Sequence, residues 1–263
     1  MTRAEPFLAV ITDMDGVITR TARVHERAWQ RMFDEFLEGR EDADGEDHSP
    51  FTPQDYLQYV DGKPRLDGVR DFLASRGIDL PEGGADDGPD RDTVHGLGNR
   101  KNDAFRATLE RDGVETFADT LAACERWRRG GLPLAAMSAS RNCRHVLGTA
   151  GVIDRFETIV DGQTAVEEGL EGKPDLIRTA AERLGVPLER TVLLEDAIAG
   201  IEAGREVGCG LVVFVDREGD AASGEPIRGQ ADLAVQDLGA LRFPRRIPDL
   251  LADPAAFDRV RGD

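Results

Sequence analysis

The sequence of 263 residues and 28.7 kDa is long enough for one large domain or for a domain with a lid. Its 51 acidic residues outnumber 33 basic ones, and the net charge of −18 argues against a surface for nucleic acids or anionic membranes. Apolar residues make up 40% and charged residues 32%, which is typical of globular proteins. The sequence has no apolar run of the roughly 20 residues that span a membrane, and its first residues lack the apolar core of a secretory signal. We therefore expect a cytoplasmic monomer that binds neither nucleic acid nor membrane.

Short apolar runs predict the strands of a buried sheet. They are residues 7–12, 133–137, 158–160, 191–194, 211–215 and, more weakly, 233–235. Helical patterns are found at residues 23–38, 66–75, 102–112, 117–129, 174–184 and 197–207. Alternation of strands and helices predicts an α/β fold with a doubly wound parallel sheet, in which ligands bind beyond the carboxyl ends of the strands.

The interval between the first two predicted strands is far longer than one crossover helix requires. Residues 20–112 include three of the helical patterns, and we interpret them as a helical cap, or lid, inserted after the first strand. Residues 1–19 and 113–263 would then form the Rossmann-like core.

Two acidic segments account for −10 of the net charge. Residues 38–55 hold seven acids and one base, and residues 82–92 hold five acids and one base. Both are rich in Gly or Pro and lack apolar periodicity, so both are predicted to be loops. They are either solvated insertions or a docking surface, and the sequence leaves both possibilities open. The three cysteines have no metal-binding spacing and are predicted to be small buried residues: Cys124, Cys143 and Cys209.

The first predicted strand ends in Asp13-Met14-Asp15-Gly16. Residues two apart on a strand point to the same side, so both carboxylates would lie at the ligand-binding edge. Close carboxylates repel each other unless a cation lies between them or one takes a proton. Mg²⁺ prefers oxygen ligands and also neutralises phosphate, so this pair indicates a magnesium site. The alternative is a turn with two solvated acids.

Further polar groups follow the other predicted core strands. Ser138 follows the second strand, Lys173 precedes a helix with Pro174 at its first position, and Glu195-Asp196 ends a third strand. A hydroxyl can donate to a phosphoryl oxygen, and an ammonium can balance acids and phosphate. Each group alone is weak evidence, since a serine after a strand is usually a helix cap. Together they place one constellation at one edge of the sheet.

This constellation resembles that of the haloacid dehalogenase-like phosphohydrolase superfamily, over roughly residues 7–238. The resemblance implies that Asp13 is a nucleophile that forms an aspartyl phosphate and that Asp15 is the general acid and base. It implies that Ser138 and Lys173 contact the phosphoryl group being transferred. Members that only dehalogenate lack the second aspartate, so Asp15 indicates phosphoryl transfer. The implied ligands of a catalytic Mg²⁺ are Asp13, Asp15, Glu195 and Asp196.

Four segments carry a closer resemblance to the β-phosphoglucomutase-like subfamily: residues 15–29, 62–65, 99–103 and 138–142. The resemblance implies that Thr21, His25 and Lys101 couple closure of the lid to Asp15. The implied substrate-binding residues are Trp29, Gly62, Lys63, Arg65, Ser140, Arg141 and Asn142. Among these, Arg65 and the 140–142 segment would grip the phosphate that is not being transferred. The alternatives are core packing for His25 and Trp29 and ordinary solvated side chains for Arg65 and Lys101.

The subfamily resemblance implies interconversion of β-glucose 1-phosphate and glucose 6-phosphate through β-glucose 1,6-bisphosphate. The charge of the predicted site supports a mutase. The negative charge of the four carboxylates exceeds the positive charge of Mg²⁺ and Lys173, so the core alone would bind one phosphoryl group only modestly. A mutase must also hold a second phosphate, for which the planar donors of Arg65 and Arg141 are suited. A sugar-phosphate phosphatase on the same scaffold, a catalytically silent sensor and another sugar phosphate all stay open as alternatives.

Overall fold

The computed structural model describes residues 7–41, 45–61, 63–217, 231–239 and 241. The chain divides into two compact units. One, the sheet unit, comprises Met1–Arg20 and Val114–Asp263, and the other, the helical unit, comprises Thr21–Gly113. Of the helices within the described ranges, none is both long and apolar enough to cross a membrane.

The described part of the sheet unit contains one parallel sheet of six strands in the order β3-β2-β1-β4-β5-β6. The strands are β1 (Ala9–Asp13), β2 (Leu134–Met137), β3 (Thr158–Val160), β4 (Thr191–Glu195), β5 (Leu211–Val215) and β6 (Leu233–Val235). The doubly wound parallel sheet with flanking helices is therefore confirmed. Every predicted strand is present, with its ends shifted by at most two residues.

Nine helices are present in the described residues. They are α1 (Ala22–Glu38), α2 (Pro53–Asp55), α3 (Arg65–Ser75), α4 (Val94–Asp112), α5 (Ala118–Arg129), α6 (Cys143–Thr149), α7 (Gly162–Glu168), α8 (Gly172–Leu184) and α9 (Ile198–Val207). A π-helical turn, Tyr56–Val60, continues α2, and 3₁₀ turns occur at Ile153–Arg155 and Leu188–Arg190. The first four helices belong to the helical unit and the other five flank the sheet.

The central strands are buried on both faces, as expected for a parallel sheet covered by helices. On one face, Ile11 of β1 and Leu193 of β4 pack in one cluster with Ile177 of α8 and Ile201 of α9. This double burial explains why the strands read as continuous apolar runs rather than as alternating patterns. The predicted burial of the cysteines is confirmed, and all three are free thiols: Cys124, Cys143 and Cys209.

The helical unit has an aromatic core of its own. The ring of Phe33 lies 4.0 Å from that of Phe72, which lies 5.1 Å from that of Phe51. Burying one such ring contributes roughly 2–3 kcal/mol. The helix predicted at 102–112 begins eight residues earlier, at Val94, where the Thr93 hydroxyl accepts the Gly96 N–H at 2.9 Å.

The acidic segments are attached to the helical unit by their own acids. In the first, Asp55 forms a capping box with Thr52, so the end of the predicted loop is helical. The guanidinium of Arg76 binds Asp55 and Asp47, each at 2.9 Å. The second segment is a loop, as predicted, and the Asp87 carboxylate accepts a hydrogen bond from the Thr93 hydroxyl at 2.7 Å. These acids anchor their loops rather than forming a purely solvated surface. Residues 42–44 lie outside the described residues.

Candidate active site

The strand order places two acidic strand ends side by side. In this order the direction of winding reverses between β1 and β4, and ligands bind beyond the carboxyl ends at such a reversal. Thr12 of β1 pairs with Leu194 of β4, so the next residues, Asp13 and Glu195, end neighbouring strands. Asp13 is only 6% exposed and Glu195 is fully buried. The candidate site is therefore acidic and largely shielded from water.

Lys173 joins the two acidic strand ends. Its ammonium Nζ donates to Glu195 Oε1 and lies 3.4 Å from Asp13 Oδ1. The other oxygen of Glu195 accepts the N–H of Ala197 at 2.9 Å. Burial disfavours the charged ammonium, but the carboxylates of Asp13 and Glu195 together raise the pKa of Lys173 above its ordinary value. Lys173 is therefore a fixed cation in this site.

The carboxylates outnumber this cation. Burial raises the pKa of Asp13 well above its ordinary value; Lys173 opposes the shift, whereas Glu195 and Asp196 add to it. Burial, followed by the charge of Glu195, raises the pKa of Asp196 to about 8. Two neighbouring carboxyls that resist ionisation indicate that the site lacks positive charge, which a bound cation would supply.

A tight turn after β1 carries Asp15. The Gly16 N–H donates to the Thr19 carbonyl at 2.9 Å, and the Thr19 N–H donates to the Met14 carbonyl at 3.0 Å. Gly16 has a φ of +73°, and the carboxylate of Asp196 occupies the space that a β-carbon would need. Only glycine suits this position, and its small size brings Asp196 next to Asp15. The charge of Asp15 also acts on Asp13, so the two predicted aspartates lie close together.

The loop after β2 carries Ser138 and the 140–142 segment. The buried Ser138 hydroxyl accepts the N–H of Ser140 at 3.1 Å, and the Ser140 hydroxyl accepts the N–H of Asn142 at 3.2 Å. A β-carbon on Gly162 would lie 2.8 Å from the Arg141 nitrogen, so this glycine lets the loop pack closely. Arg141 itself is exposed, and its guanidinium contacts no acid within the described ranges. It is thus available to an anionic ligand.

The oxygen groups around Asp13 fit a hard divalent cation. No three carboxylate, imidazole or thiol groups converge on one point in the part of the chain that the structure describes. Mg²⁺ does not require three, because it is commonly held by one or two carboxylates and completes its shell with water and substrate phosphate. Glu195 is already engaged by Lys173 and Ala197. Asp13 and Asp196 are therefore the better candidate ligands.

In the helical unit, a buried lysine contacts a histidine. Lys101, only 5% exposed, has its Nζ 2.7 Å from His25 Nδ1. The same ammonium lies 5.0 Å from the ring centres of Trp29 and Phe105. Burial and then the charge of Lys101 lower the pKa of His25 well below its ordinary value, so a neutral His25 accepts a hydrogen bond from Lys101. Thr21 is buried at the start of α1, and its carbonyl accepts the N–H of His25 at 2.9 Å.

This pairing predicts a pH dependence of stability. Below the ordinary histidine pKa of about 6.5, the unfolded chain gains a proton at this position that the folded chain does not accept. The stabilisation is complete above that value and should fall by about 1 kcal/mol by pH 5.5. Urea unfolding of His25→Gln, which still accepts from Lys101 but does not titrate, should lack this loss. His95→Gln, at a histidine 3.9 Å from Glu82 in the same unit, should retain it; equal slopes in the two variants would contradict the prediction.

Arg65, at the start of α3, is tied to the second acidic segment. Its Nη2 donates to Asn99 Oδ1 at 3.4 Å. The Asn99 amide in turn donates to the carbonyls of Ala85 and Asp87, at 3.1 and 2.9 Å. The acidic loop therefore fixes Asn99, and Asn99 orients Arg65. This gives the segment at 82–92 a role that its composition did not indicate.

The remaining predicted residues of the helical unit are less suited to substrate. Trp29 is buried in the aromatic core, stacked on Phe33 with 5.4 Å between ring centres. Lys63 forms an ion pair with Asp71 at 2.5 Å. Gly62 lies outside the described residues. Of the substrate-binding residues predicted here, Arg65 has the strongest structural support.

One largely buried arginine near the site was not predicted from the sequence. Arg217 follows β5 by two residues, and its guanidinium contacts the backbone of the turn that carries Asp15. The one available signal was its position just beyond the carboxyl end of a core strand, where a charged residue lies at the ligand-binding edge.

Comparisons with known proteins agree with the geometry. The family model for haloacid dehalogenase-like hydrolases matches residues 7–208. A β-phosphoglucomutase of Mycobacterium bovis is 45% identical over 242 residues, which are 90% of this chain and 92% of the relative. An uncharacterized glycosyl hydrolase of Mycobacterium tuberculosis is 39% identical over 89% of this chain, but only 17% of that longer protein is matched. A solved β-phosphoglucomutase from Clostridium difficile shares the fold, with a TM-score of 0.70 at 21% identity over 90% of this chain and 94% of that one.

Proposed function

Because the chain belongs to the haloacid dehalogenase-like hydrolase family, in its β-phosphoglucomutase-like branch, we propose that it interconverts β-glucose 1-phosphate and glucose 6-phosphate. The observation that carries the proposal is the buried contact of Lys173 with Glu195 and Asp13 beside a turn that holds a second aspartate. This arrangement offers a nucleophile, a fixed cation and an acid–base group within one site.

Asp13 is the proposed nucleophile. One of its carboxylate oxygens attacks phosphorus, the bond from phosphorus to the sugar oxygen breaks, and an aspartyl phosphate forms. Lys173, 3.4 Å from Asp13 Oδ1, balances charge on the transferring group. The Ser138 hydroxyl is the proposed donor to a phosphoryl oxygen. Bound Mg²⁺, held by Asp13, the Asp15 carbonyl and Asp196, would neutralise phosphoryl charge and favour the ionised form of Asp13.

Asp15 is the proposed general acid and base. It gives its proton to the sugar oxygen as the phosphoryl group leaves. It then takes a proton from the hydroxyl of the sugar that attacks the aspartyl phosphate. The two carboxyls thus need different protonation states, with Asp13 ionised and Asp15 protonated when the first transfer begins.

A mutase must also bind the phosphate that is not being transferred. Arg141 in the sheet unit and Arg65 in the helical unit are the proposed cations for it. The exposed guanidinium of Arg141 has no acidic partner among the described residues, and Asn99 orients that of Arg65. Planar guanidinium groups bind phosphate through two hydrogen bonds, which suits a bisphosphate intermediate.

The second candidate is a sugar-phosphate phosphatase, which the hydrolase character of the matching family model favours. Hydrolysis needs only water and the proposed catalytic groups of the sheet unit. The deciding experiment supplies β-glucose 1-phosphate with a trace of β-glucose 1,6-bisphosphate and measures both glucose 6-phosphate and inorganic phosphate. Accumulation of glucose 6-phosphate is the expected result, whereas release of phosphate alone would reject the mutase.

Arg65→Ala separates the same two functions. We expect kcat/KM for the mutase reaction to fall about 10- to 100-fold, the loss expected from one charge-assisted pair with phosphate. Hydrolysis of p-nitrophenyl phosphate, which has one phosphate and no sugar, should change less than about threefold. Arg106→Ala is the matched control, because Arg106 is an exposed arginine of α4 in the same helical unit. An equal effect of both variants on the mutase reaction would contradict the assignment.

A further inference from the structure

Arg217 is a largely buried arginine that joins four segments at the carboxyl edge of the sheet. Its side chain is only 13% exposed. It contacts the turn after β1, the start of α5 and the segment after β6, and it lies itself just beyond β5. The chemistry proposed above does not use it, although two of its contacts are to the residues that follow Asp15.

The contacts with the turn are to backbone carbonyls. Arg217 Nη2 donates to the Val17 carbonyl at 3.2 Å, and its Nε lies 3.4 Å from the Gly16 carbonyl. The Thr120 hydroxyl donates to the same Val17 carbonyl at 2.7 Å and accepts from Arg217 Nη2 at 2.5 Å. Two hydrogen-bond donors on this one carbonyl fix the orientation of the peptide unit that follows Val17.

The guanidinium is itself held on its far side. Its Nη1 donates to Asp119 Oδ2 at 2.6 Å and to the Gln236 carbonyl at 3.1 Å. The ring of Phe117 lies 4.0 Å from the guanidinium carbon. The N–H of Leu238 donates to the same Asp119 oxygen at 2.8 Å. The guanidinium of Arg217 is therefore held in place without any substrate. A side chain that orients another residue must itself be held in this way.

We propose that Arg217 is a positioning residue that fixes the turn after β1 and thereby the direction of the Asp15 side chain. The role of Asp15 in this inference rests on the proposed function, whereas the support of the turn by Arg217 rests on the contacts alone. The turn needs external support because Gly16, at a φ of +73°, has no side chain to restrict it. A general acid must lie within hydrogen-bond reach of its substrate oxygen, and a displacement of about 1 Å can cost up to 100-fold in rate.

The test compares Arg217→Gln and Arg217→Lys with Arg126→Gln. Arg126 lies in α5 and donates to the carbonyls of Leu238 and Leu241, which follow β6, so its variant controls for the support that arginine gives to the segment after β6. For Arg217→Gln we expect kcat to fall about 10- to 100-fold with KM changed less than about threefold. Arg217→Lys, which keeps one cationic donor, should recover part of kcat, and Arg126→Gln should stay within about twofold of the native enzyme.

A second readout does not depend on activity. Hydrogen exchange of the Gly16, Ile18 and Thr19 amides reports the turn directly, because each donates to a carbonyl within it. We expect exchange to speed up at least about tenfold in Arg217→Gln and to be unchanged in Arg126→Gln. Unchanged exchange, or a lower melting temperature with native kcat in Arg217→Gln, would overturn the inference. If the native protein transferred no phosphoryl group, the proposed function would fail, and exchange would still decide whether Arg217 fixes the turn.

Discussion

Asp13→Asn is expected to lower kcat for phosphoryl transfer by about four orders of magnitude or more. The amide keeps the shape of the side chain but offers no carboxylate oxygen to attack phosphorus. Residual turnover would come only from binding and from Lys173, which stays fixed by Glu195. The first measurement is the initial rate with β-glucose 1-phosphate and a bisphosphate primer. The second is the amount of acid-precipitable phosphoenzyme, and none should form.

The same substitution should leave the fold intact. Burial, with the charges of Glu195 and Asp196 adding to it, raises the pKa of Asp13, so a neutral side chain is easier to bury here even though it loses a 3.4 Å contact with Lys173. We expect the free energy of unfolding to change by no more than about 1 kcal/mol. Asp154→Asn, at an exposed position of the sheet unit, is the matched control and should alter neither quantity. An Asp13→Asn protein that is folded and retains substantial turnover would exclude Asp13 as the nucleophile.

Much of the sheet and its acidic edge was predictable because the relevant signals are local. Apolar runs such as residues 211–215 indicate buried strands without reference to any partner. Once parallel strands are predicted, residues at their carboxyl ends must meet at one edge, and this brought Asp13 together with Glu195. The ends of three predicted strands, together with Lys173, thus indicated where the candidate site lies.

Contacts between distant side chains were less predictable. The sequence predicted that Lys173 lies near the acids, but it did not predict the pairing of Lys173 with Glu195, 22 residues away, which engages one oxygen of that carboxylate. The start of α4 was missed because Gly96 and Gly98 interrupt the apolar periodicity that reveals a helix. Arg217 was missed because its contacts with the turn are to backbone carbonyls, which leave no pattern in the side chains of the sequence.

Lys173→Met is expected to reduce both stability and activity. Removing the ammonium leaves the fully buried Glu195 and the nearly buried Asp13 without their shared cation. Loss of one partner of a buried pair costs about 3–5 kcal/mol, and urea unfolding at neutral pH should reveal a loss at the lower end of that range. Because a proton can replace the lost cation, the deficit relative to the native chain should shrink as the pH falls. A deficit independent of pH would instead indicate lost packing by the lysine stem.

Adding Glu195→Gln to Lys173→Met separates the two effects. The amide removes the uncompensated charge and can still accept the Ala197 N–H that Glu195 accepts at 2.9 Å, so most of the lost stability should return. Activity should not return, because no fixed ammonium remains beside Asp13 to balance the transferring phosphoryl group. We expect kcat of the double variant to stay at least about 100-fold below native. Recovery of kcat together with stability would show that Lys173 serves the fold alone, and the cation for phosphoryl transfer would have to be sought elsewhere.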